Sequence, residues 1–372
     1  MALTASQADR EFRVLAVNPG STSTKIAVFH GLNEVFTTEL KHSVEDLAPY
    51  DKKPMTAQFE FRRDAILKAL FDHGMSMNDI DAVSGRGGLL APIAHGTYPV
   101  NELMISELMS GVYGEHASNL GGLIAKQLVG DSGKPAFIVD PVVVDELPAR
   151  VKITGIKAIR RRAISHALNQ IASCQRFARE SGGAYEKLNI IVAHMGGGIS
   201  IGAHKKGCYI DVNDALEGEG PFSPQRAGSL PTAAWMRLIL SGKYTPAELK
   251  MLVKGRGGLV DLLGTADVLE VLRRIDAGDT EATEVFDAMC YQLAKAITAL
   301  IPAFDGEQVD RVILTGGMAR SRLLVEKISK YISATGWPVT VYAGENEMGA
   351  LAEGALRVLN GQEKAREYTG RA

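Results

Sequence analysis

The segments VLAVNPGSTSTKIAV (residues 14–28) and IIVAHMGGGISIGA (residues 190–203) decide the fold of this chain. They align without a gap at an offset of 176 residues, which places Asn18 on His194. In each, an apolar run ends at one polar residue, a turn rich in Gly, Ser or Thr follows, and a second apolar run begins, which predicts a β-hairpin. Such turns point backbone N–H groups and small hydroxyls at one spot, which suits a phosphate. The sequence therefore predicts a duplicated fold with one phosphate-binding hairpin in each half.

The length of 372 residues is enough for roughly two domains of about 150 residues each. We expect an N-terminal domain of residues 1–150 with a returning C-terminal helix from 346–372, and a C-terminal domain of residues 151–345. The pattern after the first hairpin predicts the order β-β-β-α-β. A single long helix is predicted over residues 156–180, immediately before the second hairpin.

Charge and cysteine content exclude several classes of protein. Lys and Arg number 41 against 43 Asp and Glu, so no global attraction to nucleic acid or to an anionic membrane is expected. The three cysteines are far apart and lack CxxC spacing, which argues against a disulfide framework or a zinc site. Residues 1–13 are polar, and the chain has no apolar run of membrane-spanning length. We therefore expect a soluble, unprocessed, cytoplasmic protein.

Three motifs resemble those of one enzyme family. NPGSTSTK (residues 18–25) is similar to the N-x-G-S-S-S-x-K segment that opens the acetate kinases, in the form found in butyrate kinases. HMGGGIS (194–200) and GPFSPQRAG (220–228) resemble two further motifs of the same family. The resemblance runs from about residue 14 to residue 359. It implies two duplicated actin-like, ribonuclease H-like domains of β-β-β-α-β-α-β-α order that face each other across a nucleotide cleft.

The residues at the hairpin ends suit a carboxylate acceptor. Sugar kinases of this superfamily carry an Asp in the first turn and need a carboxylate base, because a hydroxyl must lose its proton to attack phosphorus. In this chain Asn18 stands at that position of the first hairpin, and His194 stands at the matching position of the second. A carboxylic acid resembles Glu, with a pKa of about 4.3, and arrives ionised at pH 7 without a base. It needs cations that offset its repulsion by the triphosphate, and Arg86 and Arg226 fit that need.

The resemblance assigns roles to individual residues. Arg86 would bind the substrate carboxylate, and Arg226 with His194 would steady the transferring phosphoryl group. The predicted catalytic residues are Arg86, His116, Asp140, His194 and Arg226. Several other histidines, among them His166, have no motif around them and are expected to be structural or solvated.

ATP or ADP and Mg²⁺ are the implied cofactors. The residues predicted to bind the nucleotide are Asn18, Ser21, Ser23, Lys25, Gly196, Gly197, Gly198, Gly316, Gly317 and Met318. Of these, residues 316–318 would let adenosine lie against backbone. Asn18 and Glu347 would lie at the Mg²⁺ site, with Glu347 binding through water.

The sequence thus predicts an ATP-dependent kinase that reversibly converts butanoate to butanoyl phosphate and ADP. Isobutyrate, propionate or acetate remain alternative acids, because one methylene is worth only about 1–3 kcal/mol of discrimination. A nucleotide-switched actin-like protein and a hydroxyl-phosphorylating sugar kinase are alternatives from other classes. The family resemblance further implies a homodimer or a higher homo-oligomer.

Overall fold

The structure is a computed structural model that describes residues 11–370. The prediction drawn from residues 1–13 therefore falls mostly outside the described part of the chain. The described chain folds into two compact units. Unit 1 ends at Val144 and resumes at Asn346, whereas unit 2 comprises Asp145–Glu345.

Unit 1 is built on a six-stranded sheet of order β3-β2-β1-β4-β6-β5. Its strands are β1 (Arg13–Pro19), β2 (Ser23–His30), β3 (Asn33–Lys41), β4 (Ala82–Arg86), β5 (Thr97–Pro99) and β6 (Ala136–Val139). Its helices are α1 (Val44–Leu47), α2 (Phe59–Asp72), α3 (Glu102–Ser110), α4 (Asn119–Val129) and α13 (Glu347–Leu359). Strands β1, β4 and β6 are parallel neighbours, and β5 is an antiparallel edge strand that the sequence did not predict.

Unit 2 contains a five-stranded sheet of order β11-β10-β7-β8-β9. Its strands are β7 (Asn189–Met195), β8 (Ile199–Lys205), β9 (Cys208–Val212), β10 (Arg311–Gly316) and β11 (Val339–Ala343). Its helices are α5 (Ala149–Lys152), α6 (Ala167–Glu180), α7 (Thr232–Leu240), α8 (Pro246–Val253), α9 (Leu259–Leu263), α10 (Val268–Asp276), α11 (Thr280–Thr298) and α12 (Arg322–Ile332).

The two sheets confirm the predicted duplication. Read from the third strand, β3-β2-β1-β4-β6 matches β9-β8-β7-β10-β11, with the same directions of pairing. Helix α13 packs on β1, β4 and β6, and α6 packs on β7 and β10. Because α13 comes last in the chain, unit 1 is completed by a helix that follows all the strands of unit 2.

The gapless alignment of the hairpins is wrong by one residue after the turn. Asn18 pairs with Lys25 across the first hairpin, whereas His194 pairs with Ser200 across the second. Lys25 is therefore equivalent to Ser200 and not to the residue 176 positions later. The shift places Ile26 and Ile201 in matching core positions, so burial of the apolar face decides the register.

The predicted long helix over residues 156–180 is also wrong in its first half, because α6 begins only at Ala167. The preceding segment is irregular and is held by Arg161. Its guanidinium lies 3.1 Å from Asp211 Oδ1 and 3.2 Å from Glu219 Oε1. Residues 157–162 carry four basic side chains, whose mutual repulsion disfavours a helix. These ion pairs therefore outweigh the helical pattern of the sequence.

Each unit has its own buried apolar cluster around its central strands. In unit 1 the cluster includes Leu15, Val17 and Val83, and in unit 2 it includes Ile191, Ala193 and Leu314. Within residues 11–370, no helix combines the length and the apolar character that crossing a membrane requires.

Candidate active site

In unit 1, three predicted site residues meet at the carboxyl edge of the sheet. Val17 pairs with Gly85 in the parallel strands β1 and β4, so Asn18 and Arg86 follow at the same edge. Arg86 Nη1 lies 3.1 Å from Glu347 Oε1, and Asn18 Nδ2 donates to Glu347 Oε2 at 2.6 Å. The side chains of Arg86 and Glu347 are 27% and 21% exposed. The structure thus joins residues that are up to 329 positions apart in the chain.

The oxygen atoms of this cluster suit a Mg²⁺ ion that keeps most of its water. Glu347 is the first residue of α13, where the helix dipole favours a carboxylate, and the Asn346 side chain caps the helix by accepting from Gly349 N–H. Mg²⁺ is typically bound by one or two carboxylates together with water and substrate phosphates. No group of three or more His, Cys, Asp or Glu residues that could hold a metal occurs within residues 11–370. Glu347 with Asn18 therefore fits a Mg²⁺ ion whose remaining ligands are water and phosphate.

A close contact between helix α4 and strand β4 fixes the backbone of Arg86. A Cβ on Gly85 would lie 2.1 Å from Gly121 O, and a Cβ on Gly121 would lie 2.2 Å from Arg86 O. Asn119, the first residue of α4, accepts from Leu89 N–H at 2.9 Å through its side chain. The loop after Arg86 is thereby attached to the start of the helix.

His116 lies three residues before the first residue of α4. It is exposed, and its Nδ1 lies 2.9 Å from Ser118 Oγ. The structure thus places His116 in the turn that leads into the helix packed on β4.

Asp140 directly follows β6, opposite the end of β4, where Arg86 pairs with Val139. It is 3% exposed and has a φ of +39°, which Asp and Asn tolerate better than most residues. Its Oδ1 accepts from Gly96 N–H at 2.6 Å. Burial raises the pKa of Asp140 to about 6, although the charge of His95 offsets part of that effect.

The remaining predicted residues of the first hairpin differ in their contacts. Lys25 is exposed and pairs with Asn18 across the hairpin, and Ser21 is exposed in the turn. The Ser23 hydroxyl donates to Glu39 Oε1 at 2.8 Å. Asn18 and Lys25 are therefore adjacent, whereas the Ser23 hydroxyl is engaged with a neighbouring strand.

In unit 2, the loop that carries Arg226 lies on the second hairpin. A Cβ on Gly198 would lie 1.8 Å from Arg226 Nη1, and Ser223 Oγ donates to Gly197 O at 2.7 Å. Arg226 Nη1 also donates to Ala215 O. Burial lowers the pKa of Arg226, and the carboxylate of Asp214 partly offsets this effect. A side chain at 198 would displace the guanidinium, so glycine there lets Arg226 lie against the hairpin.

The sequence GRGGL occurs twice, at residues 85–89 and 255–259, and the structure gives the second copy a supporting role. Gly255 N–H donates to Gln225 O at 2.7 Å, and Leu259 N–H donates to Ser223 O at 3.2 Å. The second copy therefore holds the loop of Arg226 from behind.

A cavity of about 580 Å³ opens beside the same hairpin, entirely within unit 2. Gly196 and Gly197 line one part of it, and Gly317 and Met318 line another. Apolar walls come from Val268, Leu269, Leu272 and Leu323. Such a volume is within the usual range for small-molecule sites. The structure thus brings two of the three predicted phosphate glycines and two of the three predicted adenosine residues around one cavity.

Gly316, the first residue of the predicted adenosine motif, determines how β10 ends. Its φ is +89°, and a Cβ there would lie 2.3 Å from Met195 O. Only glycine permits this approach, which brings the segment 317–318 next to the second hairpin.

His194 lies at the end of β7 and is 1% exposed. Its Nδ1 donates to Asn169 Oδ1 at 2.8 Å, because that oxygen can only accept. Its Nε2 lies 3.2 Å from Glu345 Oε1 but outside hydrogen-bond geometry. The ring of His166 stacks on it at 3.9 Å between centroids. His166 was expected to be structural or solvated, yet it covers the predicted catalytic histidine.

The hydrogen bonds of His166 define its tautomer. Gln170 Nε2 donates to both Ser200 O and Ser200 Oγ, at 3.2 and 2.7 Å. The Ser200 hydroxyl is therefore left to donate to His166 Nδ1, 2.9 Å away. His166 in its neutral form then carries its proton on Nε2. Unlike the deeply buried His194, His166 is only half-buried.

Residues 154–341 match the model of the acetokinase family. The chain belongs to that family. Butyrate kinase 2 of Clostridium acetobutylicum is 52% identical over 96% of this chain and 99% of that protein. A probable butyrate kinase of Listeria monocytogenes is 47% identical over 96% of this chain and 99% of its own length.

Solved structures show that the fold is shared by acetokinases of low sequence identity. An acetate kinase from Porphyromonas gingivalis superposes with a TM-score of 0.76 at 20% identity, covering 94% of this chain and 100% of that chain. A propionate kinase from Francisella tularensis gives a TM-score of 0.72 at 17% identity, covering 92% and 98%. These likenesses confirm the predicted fold class.

Several residues that the structure places around His194 were not singled out by the sequence analysis. His166 lies 28 positions before His194 and outside any recognised motif. Asn169 and Gln170 lie in the first turn of α6, in the part of the predicted long helix that does form. Ser200 was visible only as part of the second hairpin. The available signal was its pairing opposite His194, which required the correct hairpin register.

Proposed function

We propose that this acetokinase-family chain is an ATP-dependent kinase of short-chain carboxylates and that butanoate is its preferred acid. The observation that carries the proposal is the contact of half-buried Arg86 with a carboxylate, Glu347, at the edge of the unit 1 sheet. A guanidinium at such a position can bind a substrate carboxylate through two parallel hydrogen bonds, in bidentate geometry. The names of the butyrate kinase relatives support butanoate as the acid.

In the proposed reaction, a carboxylate oxygen of the acid attacks the γ-phosphorus of ATP. The bond from that phosphorus to the bridging oxygen of ADP breaks, and butanoyl phosphate and ADP result. The acid is ionised at neutral pH, so no general base is needed. The reverse reaction would form ATP from butanoyl phosphate and ADP.

The residues of unit 2 would handle the nucleotide and the transferring group. The cavity lined by Gly196, Gly197, Gly317 and Met318 would take adenosine and its adjoining phosphates. Arg226 would stabilise charge that develops on the phosphoryl oxygens. His194, whose buried Nε2 has no hydrogen-bond partner among the described residues, would steady the same oxygens, and the stacked ring of His166, with its tautomer fixed by Ser200, would hold His194 in place.

The residues of unit 1 would handle the acid and the metal. Asn18 and Glu347 would hold Mg²⁺, which would neutralise phosphate charge when bound. Glu347 would then exchange its contact with Arg86 for the metal and its water, so Arg86 would become available to the acid. Lys25 would add positive charge beside Asn18, and Asp140 and His116 complete the proposed set.

We further propose a homo-oligomer in the cytoplasm. Helix α7 has no buried residue in the described chain, and Met236, Ile239 and Leu240 on it are 55%, 42% and 79% exposed. An apolar helix face of this kind is typical of an interface. Sedimentation at micromolar concentration would test the oligomer, with Leu240→Glu as the variant expected to dissociate it.

The proposed activity is tested by trapping acyl phosphate with hydroxylamine, in the presence of ATP and Mg²⁺, across acetate, propionate, butyrate, isobutyrate, valerate and glycerol. Hydroxamate that is greatest with butyrate is the expected result. A maximum with isobutyrate or another acid would retain the kinase and replace the acid. Failure to form hydroxamate from any acid, despite ATP binding, would reject the carboxylate kinase in favour of a nucleotide-switched protein.

A further inference from the structure

One buried arginine holds the turn of the first hairpin from behind. Arg62 lies on α2 and its side chain is fully buried. Its Nη1 donates to Gly20 O at 2.7 Å and to Ser23 O at 2.9 Å, and its Nη2 donates to Ser21 O at 3.0 Å. Three carbonyl groups of the turn are therefore committed to the guanidinium. Arg62 thus fixes the conformation of the segment predicted to bind phosphate.

The positive charge of Arg62 is not neutralised by these contacts. Its Nε and Nη2 donate to Gln58 Oε1 at 3.0 and 2.7 Å, and its Nη1 donates to Thr24 Oγ1 at 3.1 Å. Every acceptor that the structure gives it is a neutral carbonyl, amide or hydroxyl oxygen. Burial lowers the pKa of Arg62 to about 10, so the guanidinium remains charged at neutral pH.

A buried charge without a counter-ion is costly, because the interior solvates it far less well than water does. That cost falls when an anion binds nearby, since the attraction between the two charges is strong at low dielectric. The feature directly in front of Arg62 is the turn that carries Ser21 and Ser23, next to Asn18 and Lys25. An anion at that turn would supply the missing negative charge.

We propose that Arg62 is a positioning residue that makes the turn of residues 20–24 a phosphate site, by holding its carbonyls and by supplying uncompensated positive charge behind it. The inference rests on the proposed function in taking ATP as the anion. Arg62 would thus act on the phosphate without touching it, in addition to Arg86 and Arg226, which are proposed to contact the substrates directly.

The test uses Gln58→Glu, which changes charge with little change of shape. A glutamate at 58 can accept the same two hydrogen bonds from Arg62, so the turn keeps its geometry while the guanidinium gains a counter-ion. Gln127→Glu, at an exposed position of the otherwise largely buried helix α4, is the control for the change in net charge. Calorimetric dissociation constants are measured for ATP, ADP and AMP at low and high salt, together with the melting temperature.

We expect Gln58→Glu to melt no lower than the wild type and to bind ATP about tenfold more weakly, the order expected for one unit charge near a partly buried anion. The loss should be smaller for ADP and smallest for AMP, and the control should match the wild type. Unchanged ATP affinity in a folded Gln58→Glu protein, or equal losses for ATP and AMP, would overturn the proposal.

If Gln58→Glu does not fold, Arg62→Lys and Arg62→Met make the same comparison. The preference for ATP over AMP should persist with lysine, which keeps the charge, and fall with methionine; an equal preference in both variants would overturn the proposal. These assays measure binding alone. A wild-type protein that binds ATP but forms no acyl phosphate would thus reject the proposed function and leave the role of Arg62 standing.

Discussion

Replacing Asp140 by Asn should stabilise unit 1 at neutral pH. The Asp140 carboxyl is 3% exposed, and its φ of +39° also suits Asn. Asn can still accept from Gly96 N–H through Oδ1, so the 2.6 Å hydrogen bond is retained. The substitution therefore removes a buried charge and little else.

The magnitude follows from the pKa of Asp140, which burial raises from an ordinary value near 3.9 to about 6. Because the folded state binds the proton more tightly, stability from this group is fully present below pH 4 and is lost as the pH rises through 6. At about 1.4 kcal/mol per pKa unit, ionisation costs the folded state roughly 3 kcal/mol. The free-energy advantage of Asp140→Asn should thus be near zero at pH 4 and about 3 kcal/mol at pH 8.

Thermal unfolding at pH 4, 6 and 8 measures this difference. A gain of that size corresponds to about 6–12 °C in Tm at pH 8 for a unit of this length. Asp131→Asn at an exposed position is the control and should show no pH-dependent gain. A difference between Asp140→Asn and wild type that is constant from pH 4 to 8 would refute the reasoning. If Asp140 also acts in catalysis, the stabilised variant should lose activity, a trade-off typical of functional sites.

Further predictions concern Arg226, Ser200 and Gly121. Arg226→Ala should lower kcat about 10²–10³-fold with little loss of ATP affinity, as measured by calorimetry, because its charge acts on the transition state; wild-type turnover would remove it from the mechanism. Ser200→Ala should lower kcat about tenfold or more, with a shifted pH–rate profile and unchanged ATP affinity, because it releases the tautomer of His166; an unshifted profile would show that Ser200 does not control that tautomer during the reaction. Gly121→Ala should destabilise the protein by about 1–3 kcal/mol in denaturant unfolding, since the added carbon meets the Arg86 carbonyl; unchanged stability would show that the helix can move.

The fold was largely predictable because its signals are local. Apolar runs that end in glycine-rich turns predict both hairpins, and the strand ends of β4, β6 and β10 carry the expected polar or glycine residues. Parallel pairing then brings Asn18 next to Arg86 without any further assumption. The family resemblance placed Glu347 with Asn18 at the Mg²⁺ site, whereas its contact with Arg86 was not predicted, since α13 is far away in the sequence.

What the sequence did not predict depends on tertiary contacts. The stacking of His166 on His194 requires residues 156–166 to be irregular, and that follows from ion pairs of Arg161 with distant carboxylates. In the sequence, Arg62 looks like an ordinary helix residue, because no neighbouring residue indicates that its side chain will contact the turn of the first hairpin. Edge strand β5 is only three residues long and carries no periodic signal.

The corrected hairpin register shows how one duplicated position serves two purposes. Lys25 and Ser200 are equivalent, since each pairs with the polar residue that ends the preceding strand. In unit 1 this position is an exposed ammonium beside an amide, which suits attraction of phosphate. In unit 2 it is a fully buried hydroxyl that fixes the tautomer of His166. The same backbone geometry therefore supplies a positive charge in unit 1 and fixes the position of a proton in unit 2. Exchanging the two residue types should impair both hairpins. Lysine at 200 would bury an unpaired ammonium in unit 2, and serine at 25 would remove a cation from unit 1.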